Sequence, residues 1–268
     1  MPEQPASNSP PRPSATVIPV RLGPTGLEVF MARRVQGGAF GGVFVFPGGT
    51  VQSDDFLPDA TALSQIDAMA ELSQRGGMPP NDAGLARALF RAAARELFEE
   101  AGILLAEYIV GQSGDSGEED ADLASLRAAL QRKQTDFSAI LRAIGATPDY
   151  RRLIYFSHWI TPTGEPRRFD TRFFVAAAPA DQVATHAEDE LTESLWISPT
   201  DALARSDADQ FPIVFPTRQH LLRLAEFPSP EALLAFARVK PVRTVQSIRE
   251  VIDGAARIRL PDEVMGCW

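Results

Sequence analysis

Alternating apolar and polar residues near the N-terminus give way to helical spacing and then return, which predicts strands interleaved with helices. Residues 16–20 and 27–32 have β character, and Gly23, Pro24, Thr25 and Gly26 between them signal a turn, so an opening hairpin is expected. Residues 43–46 form a third predicted strand after the glycine-rich stretch 37–42. That stretch lacks the Lys-Ser/Thr ending of a phosphate-binding P-loop and reads as flexible backbone. Asn81 or Asp82 offers an N-cap for a helix running to Ala101, with Gly102 as its stop. On this helix Phe90, Ala94, Leu97 and Ala101 make one apolar stripe for a core. Helical spacing recurs at 123–133 and 137–144, β character at 153–160, 169–177 and 193–197, and a helix start at Ser198 and Pro199. Helices at 215–225 and 230–237 precede terminal strands within 244–260, around Asp253 and Gly254. The pattern fits an α/β fold, an α/β/α sandwich with a mixed sheet.

The same pattern breaks in two places. Pro58, Gly76, Gly77, Pro79 and Pro80 interrupt the chain around a short helix predicted at 60–73, and residues 111–120 turn to Gly, Ser, Asp and Glu, an exposed loop. Insertions at about 56–80 and 111–150 therefore predict a helical lobe over the sheet. Residues 1–14 carry five prolines among Ser, Asn and Gln, without the basic start and apolar run of a secretory signal, and are expected to be disordered. Residues 15–268 then form one domain.

Charge narrows the partners. A formal net charge of −9 over 268 residues disfavours a nucleic-acid backbone, while small anions remain accessible to local arginine clusters. No stretch approaches the roughly 18 apolar residues of a membrane span. The lone Cys267 cannot form an internal disulfide, and the ending Gly266, Cys267, Trp268 is no peroxisomal address, so a cytoplasmic location is expected. His158, His186 and His220 are too widely spaced for a metal motif, and no G-x-S-x-G elbow accompanies them.

The chemistry concentrates in Arg95-Glu96-Leu97-Phe98-Glu99-Glu100-Ala101-Gly102-Ile103. On a helix, Glu96, Glu99 and Glu100 point to one patch. Like charges so spaced repel, which points to a neutralising cation, and carboxylate oxygens suit Mg2+ or Mn2+. The string resembles the second half of the Nudix hydrolase signature. Upstream, Val45 to Asp55, with Pro47, Gly48 and Gly49, resembles the strand and loop that open the signature, although Asp55 stands where the family usually has Glu. The usual seven-residue spacer is replaced by the 39 residues from Phe56 to Ala94, an insertion of 32. With Trp159-Ile160-Thr161-Pro162 and Arg168-Phe169-Asp170-Thr171-Arg172, the split signature is similar to the branch containing the mammalian peroxisomal coenzyme A diphosphatase. The likeness runs from about residue 16 to 237.

The resemblance implies a Nudix-type sandwich and a metal-dependent hydrolase cleaving a diphosphate that links a nucleoside to another moiety. Coenzyme A or acyl-coenzyme A is the favoured substrate. The alternatives are ADP-ribose, NADH or dinucleotide polyphosphates, or a non-catalytic ligand sensor. It implies metal ligands at Glu99, Glu100, Glu96 and the Gly49 carbonyl, with Glu96 also able to orient the water, and Arg95 supporting the site through a carboxylate such as Asp55. A later carboxylate, Glu190, is expected to assist. Arg33, Arg34, Arg167, Arg168 and Arg172 are candidate phosphate contacts. The partner expected is a small nucleoside diphosphate derivative, with neither nucleic acid nor membrane, and a homodimer is compatible with this.

Overall fold

The computed structural model describes residues 9–36, 41–57, 75–76, 82–108, 123–186, 191–252, 255–265 and 268. Its organising strand is β1 (Arg12–Gly23), which turns through Gly26, at φ +131°, into antiparallel β2 (Gly26–Arg34). Along its other edge β1 runs parallel to β8 (Phe169–Ala177), from Arg12 opposite Phe169 to Val20 opposite Ala177. On the β2 side the partner changes partway. The first half of β1 pairs with the short β4 (Gly48–Thr50), Ser14 opposite Thr50 and Thr16 opposite Gly48, and only the second half pairs with β2. That switch brings the Gly48-Gly49 segment into the sheet beside β1.

Strands β3 (Phe44–Val45) and β9 (Leu191–Ile197) pair with β2, while β7 (Ile154–Ile160) pairs with β8 and with β10 (Thr244–Gln246). Two two-stranded antiparallel sheets stand apart: β5 (Ala106–Tyr108) with β6 (Ala146–Pro148), and β11 (Ile248–Ile252) with β12 (Ala255–Arg259).

Side chains alternate across the sheet into two cores. Ala15, Val17, Phe30, Tyr155 and Phe174 face α1 (Ala83–Ala101), whose Leu89, Phe90, Leu97 and Phe98 are buried against them. Val20, Val29, Met31, Phe156 and Val175 face the opposite layer of α4 (Pro199–Asp207), α5 (Phe215–Leu224) and α6 (Pro230–Val239). Each fully buried Leu or Phe contributes roughly 1.5–3 kcal/mol, so both faces of the sheet are stabilised by their helix layers.

α1 begins where Asp82 accepts the Leu85 N–H and ends at Gly102, φ +68°, whose N–H returns to Phe98. A side chain at Gly102 would meet Arg127 of α2 (Leu123–Gln131) within 2.8 Å. Of the lobe at about 111–150, the described residues form α2 and α3 (Phe137–Ala143), closed by the β5–β6 pair. It is therefore not purely helical, since strands of three residues are too short to show alternation. The expected disordered lead-in does not include residues 12–14: Arg12, Pro13 and Ser14 pair with β8, and the Pro13 carbonyl accepts the Val51 N–H at 2.9 Å. Pairing on both sides overrides a composition typical of disorder, and the fixed φ of proline fits an extended strand. The predicted helix at 60–73 lies outside the described residues.

Between α5 and the sheet lies a buried polar pair. His220 is fully buried, its Nδ1 donates to the Pro216 carbonyl at 2.7 Å, and its Nε2 accepts from the Ser157 hydroxyl at 2.6 Å. Burial pushes its pKa down to about 3, so it stays neutral in the fold. An unfolded histidine binds its proton below about pH 6.5. Stability from this group is therefore complete above that pH and falls as the pH drops towards 3. Between pH 7 and pH 5 the wild-type chain is expected to lose about 2 kcal/mol more unfolding free energy than His220→Gln, which cannot titrate. Urea denaturation curves of the two proteins that shift in parallel with pH would contradict this.

Candidate active site

Four turns of α1 carry Arg95 into a buried position facing the loop after β4. Its guanidinium donates twice to Asp55, through Nε at 3.0 Å and Nη2 at 2.9 Å, in the bidentate geometry that planar guanidinium favours. Nη1 donates to Glu96 at 2.8 Å and to Glu99 at 2.6 Å, and Nη2 also reaches the Thr50 carbonyl at 3.3 Å. Burial opposes the charge of Arg95, but Glu96, Asp55 and Glu99 outweigh it and hold the guanidinium more firmly protonated than usual. Asp55 sits on a one-turn 3-10 helix (Ser53–Phe56) and closes it by accepting the Gln52 N–H at 2.8 Å. One cation thus joins two segments separated by the long insertion.

Glu100 is clamped by different groups. One carboxylate oxygen accepts the Gly48 N–H at 2.9 Å and the other accepts from Arg34 at 3.3 Å, while Arg34 also donates to the Gly48 carbonyl at 3.1 Å. Glu96 lies so close to Gly49 that a side chain there would come within 2.3 Å of its carboxylate. Glycine at 49 is thus a requirement of close approach, independent of any φ preference. From behind, α2 braces the same turn: Arg127 Nε and Gln131 both donate to the Glu99 carbonyl, at 2.9 and 2.7 Å.

These groups form one side of a cavity of about 830 Å³, where Glu96, Glu99 and Glu100 meet Gly48, Gly49 and Thr50. The other side is aromatic and apolar, with Trp159, Phe169, Phe173, Phe215 and Ile258. The donor set is hard oxygen: three carboxylates and glycine-loop carbonyls. Among the ion pairs of the described residues, the carboxylates of Asp55, Glu96, Glu99 and Glu100 exceed Arg95 and Arg34 by two charges, which one divalent cation would balance. Among the described residues no three acidic, His or Cys side chains enclose an ion by themselves. A fully protein-built cage is unnecessary for Mg2+, which keeps several waters and is completed by substrate phosphates. The residues present fit such an ion.

The candidate arginines are not brought together. Arg34 and Arg167 line the cavity, whereas Arg33 donates to the Gly42 carbonyl and Arg168 to the carbonyls of Thr161 and Pro162. Arg172 is 1% exposed and paired with Asp170 at 2.7 Å, so it is placed inside the protein instead of at a phosphate site. Asp170 also meets His158, whose pKa burial lowers despite that neighbour. Glu190 lies outside the described residues, while Glu193 is exposed near Arg33. Sequence reasoning did not find Gln131 and Lys133, which line the cavity from the second insertion. The only sequence trace of them was a predicted helix ending without a glycine.

Arg95→Ala is expected to lower the unfolding free energy by about 3–5 kcal/mol, because Asp55 is left buried without its cation. Arg95→Lys should recover only part of it, since an ammonium cannot make the bidentate pair. Chemical denaturation of both variants checks this, and a loss below about 1 kcal/mol for the alanine variant would contradict it.

Comparison with known proteins adds a family. The family model described as the NUDT19 Nudix domain matches residues 13–224. A chicken (Gallus gallus) protein named acyl-coenzyme A diphosphatase NUDT19 is 29% identical, the match covering 82% of this chain and 66% of that protein. The human protein of that name is 28% identical over 64% of this chain and 49% of its own. The chain spans less than two thirds of the length of these relatives. A crystal structure of a Nudix hydrolase from Alicyclobacillus acidocaldarius superposes with a TM-score of 0.64 at 28% identity, covering 85% of this chain and 97% of that one. A domain match over most of the chain, the shared fold and the carboxylate helix facing the glycine loop agree, and the chain belongs to the Nudix hydrolase family.

Proposed function

We propose that the chain is a divalent-cation-dependent hydrolase of a diphosphate linking a nucleoside to another moiety, with coenzyme A or acyl-coenzyme A as the favoured substrate. The observation that carries this reading is a single cavity with clamped carboxylates on one side and an aromatic wall on the other. The curated names of the chicken and human relatives support the substrate class.

Glu99 and Glu100, with Glu96 and the Gly49 carbonyl, would hold Mg2+ or Mn2+. When bound, such an ion neutralises phosphoryl oxygens and lowers the pKa of coordinated water. The chain's own part is positional. Arg95 fixes the rotamers of Glu96 and Glu99, and the Gly48 N–H with Arg34 fixes Glu100, so these carboxylates need little reorganisation when substrate enters. Glu96, at 7% exposure and against Gly49, is placed to accept a hydrogen bond from an attacking water. Trp159, Phe169 and Phe215 supply surface for stacking a base or covering an apolar tail, which removes water from that side.

The test is hydrolysis of coenzyme A, acyl-coenzyme A, ADP-ribose, NADH and diadenosine polyphosphates with Mg2+, with products weighed by mass spectrometry beside Glu100→Gln. Coenzyme A should give 3′,5′-ADP and phosphopantetheine, and the variant should lose roughly a hundredfold or more in kcat. Turnover of another dinucleotide with none of coenzyme A would overturn the substrate assignment. Turnover unaffected by Glu100→Gln would overturn the site.

A further inference from the structure

Four of the described helices end on a residue in the left-handed region, two of them on glycine and two on a residue with a side chain. α1 stops at Gly102 (φ +68°) and α3 at Gly145 (φ +61°). α2 stops at Lys133, φ +56°. The hydrogen bonds around it are those of a Schellman motif: the Lys133 N–H returns to Leu130 and the Gln134 N–H to Ala129, both at 2.9 Å. The position that glycine normally fills in this motif carries a long side chain with a Cβ, at a steric cost. The other described non-glycine residue with positive φ is Asp209, a residue type that tolerates this region and that does not line the cavity. Backbone strain kept at a non-glycine residue that lines a functional cavity points to a use for its side chain.

The surroundings of Lys133 say what the side chain does. It lines the main cavity together with Gln131 and Glu99, and also the neighbouring cavity of about 300 Å³ behind Arg95 and Asp55. The two cations paired with the carboxylates are already committed, Arg95 to Asp55, Glu96 and Glu99, and Arg34 to Glu100 and the Gly48 carbonyl. Among the described residues Lys133 forms no ion pair with a carboxylate. Its helix is pinned to the site, since Gln131 and Arg127 both donate to the Glu99 carbonyl and Arg127 also bonds Thr185. Lys133 is exposed, lines the same cavity as the three carboxylates and is carried on this fixed platform.

We infer that Lys133 is the insertion's contribution to substrate binding, a cation that pairs with the diphosphate of the substrate as it approaches the carboxylate side. This rests on the diphosphate-hydrolase reading above and adds to it a residue that the signature helix does not contain. It also assigns the second insertion a role: α2 holds the turn of α1 that bears Glu99 and presents the phosphate contact.

The test separates charge from structure. Lys133→Gly removes the ammonium and relieves the backbone, and Lys133→Arg keeps a cation. Binding of α,β-methylene-ADP with Mg2+ is measured by calorimetry, beside thermal melting of each protein. Lys133→Gly should bind roughly tenfold more weakly than wild type while melting at the same temperature or up to about 3 °C higher. Lys133→Arg should stay within roughly threefold of wild type. Wild-type affinity in Lys133→Gly, an arginine variant as weak as the glycine one, or no binding by the wild-type protein would each overturn the inference. If Lys133→Gly binds normally while Glu100→Gln is inactive on substrate, the inference fails and the hydrolase reading stands. If the analogue binds through Lys133 but no diphosphate is cleaved, only the hydrolase reading fails.

Discussion

The buried guanidinium of Arg95 is the constraint on which the site depends. A buried charge is tolerable only when paired and hydrogen-bonded, and here every pairing partner is a piece of the site: Asp55 from the loop after β4, Glu96 and Glu99 from α1, and the Thr50 carbonyl. The helix carboxylates Glu96 and Glu99 share one face and repel, and Arg95 offsets that repulsion by donating to both. With Arg95 among them, the repulsion becomes an organised array. The same contacts explain how a long insertion between the two signature halves is tolerated. The halves are joined through space by the Arg95–Asp55 pair, so the length of chain between them matters little. Aspartate in place of the usual glutamate still closes the pair, since Asp55 sits on its own short turn and both its oxygens are reached.

The sheet sets up that encounter. β1 gives its first half to β4 and its second half to β2, and the exchange places Gly48 against the β1 backbone at Ala15 and Thr16 and Gly49 against the Glu96 carboxylate, where an added Cβ would clash. The parallel partner β8 on the other side of β1 brings Phe169 and Phe173 to the same cavity, beside Trp159 of β7 and Phe215 of α5. The second insertion then closes the carboxylate side through α2. Its contacts run to a backbone carbonyl of α1, which steadies the helix without consuming a carboxylate.

Most of this was readable from residue order wherever periodicity was long. α1, from its Asp82 cap to its Gly102 stop, and the main strands stand where apolar spacing predicted them, because a stripe of buried positions and a capping residue are local signals. The three carboxylates share a face for the same reason. What residue order did not show was contact between distant segments. The embrace of Glu100 by Gly48 and Arg34, the position of Lys133 at the cavity and the burial of Arg172 against Asp170 depend on which strands neighbour each other. Short strands such as β4 and β5 carry too few residues to display alternation, and the pairing of Arg12 to Ser14 runs against their composition.

If Arg95 and Asp55 organise the carboxylates for a cation, then loosening the pair should weaken the cation's hold while the fold survives. The direct measurement is a Mn2+ titration of the wild-type protein and Asp55→Asn by electron paramagnetic resonance, at a temperature where circular dichroism shows both folded. The expected result is binding by the wild-type protein and affinity reduced by roughly tenfold or more in the variant. Equal Mn2+ affinity in the two proteins, or no binding by the wild-type chain, would contradict the account.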